Sequence, residues 1–355
     1  MDAQSITLKS IIKQYKPALI IKQGDQLLPS QWNALHAIER CRTAKSGELY
    51  VQCKQCHHAH WSPLSCGHRH CPGCQNHEVN QWLDRQKQKL LPVEYFMVTF
   101  TLPAQLRALA WRHQKIIYTL FFSTVASTLK SFGLNPDKLD GNTGLTAVLH
   151  THNRRLDYHP HIHVVMPGGA INKKRKQWKK LKGKYLFNAF ALATVFRARF
   201  IDALNAQKIT LPNNIPDQWV TNVQHVGKGL PALKYLSRYL YRGVISEKNI
   251  IENKNGWVTF RYTNSQTKKS ETRSLKGEDF LALILKHVLP RGFRRVRDYG
   301  FLHANAKALL KLVQLILQVT LEKKPLRARA AFICPHCQSC MVIRIIKHAA
   351  KAAPG

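Results

Sequence analysis

The hydrophobic pattern of the chain divides into short apolar runs and longer amphipathic stretches. Residues 95–102 (Tyr-Phe-Met-Val-Thr-Phe-Thr-Leu) are almost continuously apolar and end at Pro103, which predicts a buried strand. Residues 145–152 and 161–166 predict two more, the second stopped by Pro167-Gly168-Gly169. Residues 219–226 and 257–262 are further strand candidates. A helical period runs through 106–129, 187–205, 230–242, 277–288 and 304–321. The order is mixed, with hairpin-like neighbours and no regular βαβ alternation, so the pattern predicts an α+β fold on an antiparallel sheet.

Length and charge narrow the picture. At about 100–200 residues per domain, 355 residues predict two or three domains. The apolar share of 45% is enough to build a core and excludes global disorder. No run approaches a membrane span, since the best stretch, 308–321, is broken by Lys311, Gln314 and Gln318. Lys9, Lys13 and Lys16 interrupt any signal-peptide pattern, so a soluble, intracellular protein is expected. The 55 Lys+Arg against 19 Asp+Glu give a net charge of +36, which calls for a polyanion. Nucleic acid fits better than a membrane surface, because no long basic amphipathic helix is present to bind lipid.

The nine cysteines fall into an N-terminal and a C-terminal group. Cys53-x-x-Cys56 and Cys71-x-x-Cys74, separated by fourteen residues, have the two-knuckle spacing of a structural zinc site. Four thiolates would leave no open position for catalysis. Cys41, Cys66 and His70 are left to form a second site or to exchange places with the first set. Cys334-x-x-Cys337, with Cys340 nearby, is a lone knuckle that His336 or His348 could complete.

In His159-Pro160-His161-Ile162-His163, alternation on a strand puts His161 and His163 on one face, half of a divalent-metal site or a pair of hydrogen-bonded surface histidines. His150 and His152 lie on the preceding strand candidate and either could add a third nitrogen. Tyr235 and Tyr239 are spaced i, i+4 on a helical pattern, beside Arg238 and Arg242 at the same spacing. Phenols flanked by guanidinium groups suit covalent attack on phosphate; a Tyr stripe facing the core is the plainer alternative.

Together these motifs resemble the rolling-circle transposases of the insertion sequence 91 family, two-tyrosine members of the HUH endonucleases. The resemblance runs through Glu39-Arg40-Cys41-Arg42-Thr43, Ser65-Cys66-Gly67-His68-Arg69-His70-Cys71-Pro72-Gly73-Cys74-Gln75 and Leu91-Pro92-Val93-Glu94-Tyr95-Phe96. It continues through Leu149-His150-Thr151, His159-Pro160-His161-Ile162-His163, Tyr235-Leu236-Ser237-Arg238-Tyr239, and from His287-Val288-Leu289-Pro290-Arg291-Gly292-Phe293 to Asp298-Tyr299-Gly300-Phe301.

The resemblance implies nicking and rejoining of single-stranded DNA at transposon ends through a 5′-phosphotyrosine link. It implies Tyr235 and Tyr239 as nucleophiles, and Mg²⁺ or Mn²⁺ held by His161, His163 and, in place of His152, His150. A bacterial cytoplasmic location, on the nucleoid when bound to DNA, is the matching expectation. Eight of the twelve residues 173–184 are basic; Lys173, Lys174, Arg175, Lys176, Lys179 and Lys180 are candidates to track phosphates, with Trp178 to stack on a base. The expected division is a zinc-binding DNA-binding module over 1–92, the catalytic domain over 93–300 and a helical basic tail over 301–355. A plasmid-type replication initiator shares this chemistry, and a non-catalytic zinc-ribbon DNA-binding protein would share the charge.

Overall fold

The computed structural model describes residues 6–240, 243–319 and 325–348; for Arg238 and Tyr239 the description is of the backbone alone. Two helices open the chain, α1 (Leu8–Gln23) and α2 (Pro29–Arg40). Thr7 caps α1 by accepting from the Ser10 amide at 3.1 Å. A hairpin of β1 (Gly47–Cys53) and β2 (Ala59–Pro63) precedes α3 (Asn76–Lys87). Then come β3 (Tyr95–Thr101), α4 (Arg107–Arg112), α5 (Gln114–Leu134), β4 (Gly144–His152) and β5 (Tyr158–Pro167). A small hairpin, β6 (Gly169–Asn172) and β7 (Gln177–Lys180), leads to α6 (Ala189–Ala206), β8 (Thr221–His225) and α7 (Leu230–Leu240). The chain continues through β9 (Ile250–Lys254), β10 (Trp257–Thr263), β11 (Ser270–Lys276) and α8 (Gly277–Leu285). It closes with β12 (Val296–Gly300), α9 (Lys307–Ile316), β13 (Phe332–Ile333) and β14 (Cys340–His348).

The centre is a five-stranded antiparallel sheet in the order β12-β4-β5-β3-β8. Alternation sorts its side chains cleanly. Phe96, Val98, Phe100, Ile162, Val164 and Leu149 face a core shared with Phe121, Phe122, Phe196 and Phe200 of α5 and α6. Val148 and Val165, on the opposite face, meet Trp82 of α3, Val313 of α9, and Ala232, Leu233, Leu236 and Leu240 of α7. The last four recur at helical spacing and bury α7 along one stripe. The antiparallel α+β architecture is thus as the pattern predicts.

Packing crosses the expected boundaries at 92 and 300. Leu8, Ile11, Ile12, Leu19, Leu35 and Ile38 of the N-terminal helices share a core with Val258, Phe260, Phe280 and Leu281, over 200 residues away. Among the described residues the C-terminal tail is helical in a short 3-10 turn, Ala304–Ala306, and in α9, whereas Met341-Val-Ile-Arg-Ile-Ile is rich in β-branched residues and β14 adds to β1, with Gly47 opposite His348 and Cys53 opposite Met341. Among the described residues no helix is long and apolar enough to cross a membrane.

Candidate metal centre and tyrosine helix

The register places His150 of β4 directly opposite His161 of β5, and His163 two residues on. On the α7 face of the sheet, the three imidazoles bring one nitrogen each to within 4.8 Å of one another. The His161 Nδ1–H donates to the His159 carbonyl at 2.7 Å, which leaves the Nε2 lone pair available. His163 Nδ1 shares a 2.8 Å hydrogen bond with the Thr99 hydroxyl of β3. Burial lowers the pKa of His161 to about 4 and, with the neighbouring His161, that of His163 to about 3. Burial likewise takes His150 well below the ordinary histidine value. Three neutral imidazoles converging on one point fit a divalent cation.

His152 does not join them. A register shift between His150 and His152 breaks the strict alternation, and the His152 ring lies 5.2 Å from His287. The irregularity thus turns His150, and not His152, toward His161 and His163, a distinction that strand periodicity leaves open.

Helix α7 crosses above the cluster. The Tyr235 ring lies 6.0 Å from His163 and 6.4 Å from His150, centroid to centroid. Tyr239 is one turn further along the same helix, in its backbone-only part, and Tyr241 and Arg242 lie outside the described residues. Gly243, three residues beyond the end of α7, meets the segment 68–72. The His70 carbonyl sits where a Cβ on Gly243 would be only 2.7 Å away, so only glycine passes there. His70 is buried; its Nε2 accepts from the Leu289 amide at 3.3 Å, and Arg69 donates to the Pro290 carbonyl at 3.0 Å.

The expected cysteine set is not assembled. Cys71 and Cys74 gather with Cys41 and Cys66, whereas Cys53 and Cys56 gather with Cys334 and Cys337; within each set the sulfurs lie within 4.8 Å of one another. The segment after β2 returns to the end of α2, where the Arg42 amide donates to Leu64 O at 3.1 Å and the Cys66 amide to Cys41 Sγ at 3.5 Å. That return carries Cys71 and Cys74 away from the first knuckle. Sulfur contacts of 3.4 Å (Cys41–Cys74), 3.6 Å (Cys66–Cys74) and 3.7 Å (Cys41–Cys71) approach the edge of about 3.8 Å of a tetrahedron with zinc–sulfur bonds of about 2.3 Å. His70, engaged with Leu289, stands outside both sets.

The basic hairpin is exposed but distant. Gly169 follows His163 by six residues with a bend at Gly168, a reach of up to about 20 Å at roughly 3.3 Å per residue. Lys173, Lys174, Arg175, Lys176, Lys179 and Lys180 are exposed. Trp178 turns inward onto Gly169 and the Phe301 ring, 5.9 Å away, so it is not offered to a base. Arg295 is buried, and Arg297 stacks 4.5 Å over Phe122.

The fold thus sets a histidine triad on an antiparallel sheet beneath a tyrosine-bearing helix and joins it to two clusters of cysteines. Residues 144–308 match a family described as "Putative transposase", and residues 11–102 match "Transposase zinc-binding domain". The chain is 33% identical over 303 residues to "Putative transposase y4qJ" of Sinorhizobium fredii, covering 79% of this chain and 76% of that one. It is 26% identical over 289 residues to "Transposase for insertion sequence element IS801" of Pseudomonas savastanoi, covering 74% and 68%. No solved structure matches it. The chain belongs to the insertion sequence 91 family of transposases, proteins that act on DNA, and its cysteine clusters support structural zinc.

Proposed function

We propose that this transposase nicks and rejoins single-stranded DNA at transposon ends, in rolling-circle transposition, through a 5′-phosphotyrosine intermediate. The observation that carries the reading is the Tyr235 ring held 6.0 Å from His163 over the convergent histidines. His150, His161 and His163 hold Mg²⁺ or Mn²⁺, and such a cation polarises a phosphoryl oxygen when bound. The Tyr235 hydroxyl gives up its proton, its oxygen forms a bond to phosphorus, and the bond to the 3′-oxygen breaks. That oxygen takes up a proton and leaves as a 3′-hydroxyl. The link conserves the energy of the phosphodiester, so a later attack by a 3′-hydroxyl reseals a strand without a nucleotide cofactor.

Tyr239, one turn away, is the second nucleophile, so one phenol can keep a cleaved strand while the other accepts the next. Arg238 and Arg242 steady the phosphate charge; these three enter from their spacing in the sequence. Cys41, Cys66, Cys71 and Cys74 hold a structural zinc that braces the segment reaching Gly243 and, through α3, the tyrosine helix. The exposed hairpin lysines bind phosphates away from the cut.

The test is incubation of the protein with labelled single-stranded oligonucleotides from its own element's ends and Mn²⁺, followed by denaturing gels and peptide mass spectrometry. A metal-dependent adduct on Tyr235 or Tyr239 is expected, lost in Tyr235→Phe combined with Tyr239→Phe. His161→Ala should abolish cleavage at every metal concentration while leaving single-strand binding intact. Tight binding with no adduct on any oligonucleotide would leave a DNA-binding protein without turnover. Cleavage of a plasmid origin in preference to transposon ends would make it a replication initiator.

A further inference from the structure

Cys53, Cys56, Cys334 and Cys337 belong to two hairpins from opposite ends of the chain, and Cys53 and Cys337 are 284 residues apart in sequence. The two knuckles are built alike. In each, the amide of the first cysteine donates at 2.8 Å to the carbonyl five residues on, Cys53 to His58 and Cys334 to Ser339. In each, the residue directly after the second cysteine takes a left-handed conformation, His57 at φ 59° and Gln338 at φ 59°. Both therefore make the tight turn that points two thiolates at a common centre. The cross contacts are 3.4 Å for Cys53–Cys337, 3.5 Å for Cys56–Cys334 and 3.5 Å for Cys56–Cys337. Cys56 thus contacts two partners almost equally, as the corner of a tetrahedron does. A disulfide would single out one partner at about 2.0 Å.

Packing alone is a poor explanation for the docked C-terminal hairpin. The buried cluster between the hairpins contains Leu49, Val51, Met341 and two of the cysteines, Cys53 and Cys334. Beside the β1–β14 ladder, a core of that size adds little, and small ribbons of this kind commonly rely on a cross-link or a metal.

We propose that these four cysteines bind a second Zn²⁺, a clasp that fastens residues 332–348 to the β1–β2 hairpin and so completes the N-terminal zinc region with the far end of the chain. Half of its ligands lie outside both stretches, 11–102 and 144–308, that match transposase families. Cys56 and Cys337 are exposed, so this ion is reachable from solvent, unlike an ion among the largely buried Cys41, Cys71 and Cys74.

The experiment is native mass spectrometry of the full chain purified with zinc, beside Cys334→Ser combined with Cys337→Ser. The double variant should carry one zinc fewer, and Cys337→His, which keeps a ligand, should carry the full number. Equal zinc in the unmodified chain and the double variant overturns the clasp. If the double variant fails to fold, alkylation of the unmodified protein decides. Cys53, Cys56, Cys334 and Cys337 should be protected together and become reactive together on chelation, while exposed Cys340 reacts throughout. Zinc-loaded protein in which Cys56 and Cys337 react as fast as Cys340 also overturns it. Neither readout depends on tyrosine chemistry, and Tyr235→Phe should keep every zinc.

Discussion

Thr99 and His163 face each other across the β3–β5 ladder, and the Thr99 hydroxyl meets His163 Nδ1 at 2.8 Å. The hydrogen bond fixes the imidazole so that its other nitrogen turns to His150 and His161. Such partners of metal-binding histidines typically matter about 10- to 100-fold. Thr99→Val should therefore slow oligonucleotide cleavage by roughly that factor and raise the Mn²⁺ concentration needed for half-maximal rate, with single-strand affinity unchanged. Thr99→Ser should restore both. Unchanged metal dependence in the valine variant would deny Thr99 its positioning role.

The basic hairpin follows the C-terminal end of β5 while the histidines lie midway along it, and the two should separate in kinetics. Replacing Lys173, Lys174, Arg175 and Lys176 with alanine should flatten the salt dependence of DNA affinity, by up to about 0.7–0.9 in slope for each phosphate no longer neutralised. Cleavage of a short oligonucleotide at saturation should stay the same. A loss of maximal rate would bring the hairpin to the reacting strand, well inside its reach of up to about 20 Å.

Buried neutral histidines make folding sensitive to acid. Burial takes His287 down to about 4, and takes His70 and His152 well below the ordinary value, alongside His150, His161 and His163. In the unfolded chain these groups take protons near 6.5. The unfolded state thus binds more protons between about 6.5 and 4, and stability, complete above that window, falls as the pH is lowered through it. Each histidine contributes about 1.4 kcal/mol per pH unit there. Urea midpoints should be flat from pH 8 to 7 and drop steeply below 6.5. His287→Asn should reduce proton uptake on unfolding by about one, a measure that separates the histidine from the zinc thiolates.

Gly300 ends β12 at φ 61°, and a Cβ there would run into the Thr143 carbonyl. Gly300→Ala should cost about 2–4 kcal/mol by urea unfolding. Gly256, at φ 83° in an open turn, has no neighbour within 4 Å, so Gly256→Ala should cost only about 1 kcal/mol for its backbone. Equal losses at the two sites would mean that the steric clash, unlike the backbone strain, carries no weight.

The central sheet was legible because alternation is a local property: β3, β4 and β5 fall on the runs at 95–102, 145–152 and 161–166. His161 and His163 follow from that alternation alone. The rest depended on distant partners. Sequence spacing pairs Cys53-x-x-Cys56 with the next knuckle in line, yet their partners Cys334 and Cys337 arrive by way of β14. Thr99 carries no motif, and only the strand register brings it to His163. Trp178 reads as a base-stacking residue because its neighbours are lysines, whereas the small size of Gly169 lets its ring fold inward.

The shared core of the N-terminal helices with residues 245–288 has a practical consequence for anyone re-engineering this protein. A chimaera cut at residue 92, carrying the front of one family member and the back of another, would join two halves of one interior: Ile12 and Leu19 would have to fit a foreign Phe260 and Phe280. Exchangeable parts have to be chosen by what touches what in space. The natural unit of transplantation is residues 6–74 together with 244–288 and 332–348, leaving the five-stranded sheet, with α3 whose Trp82 packs on it, as the recipient.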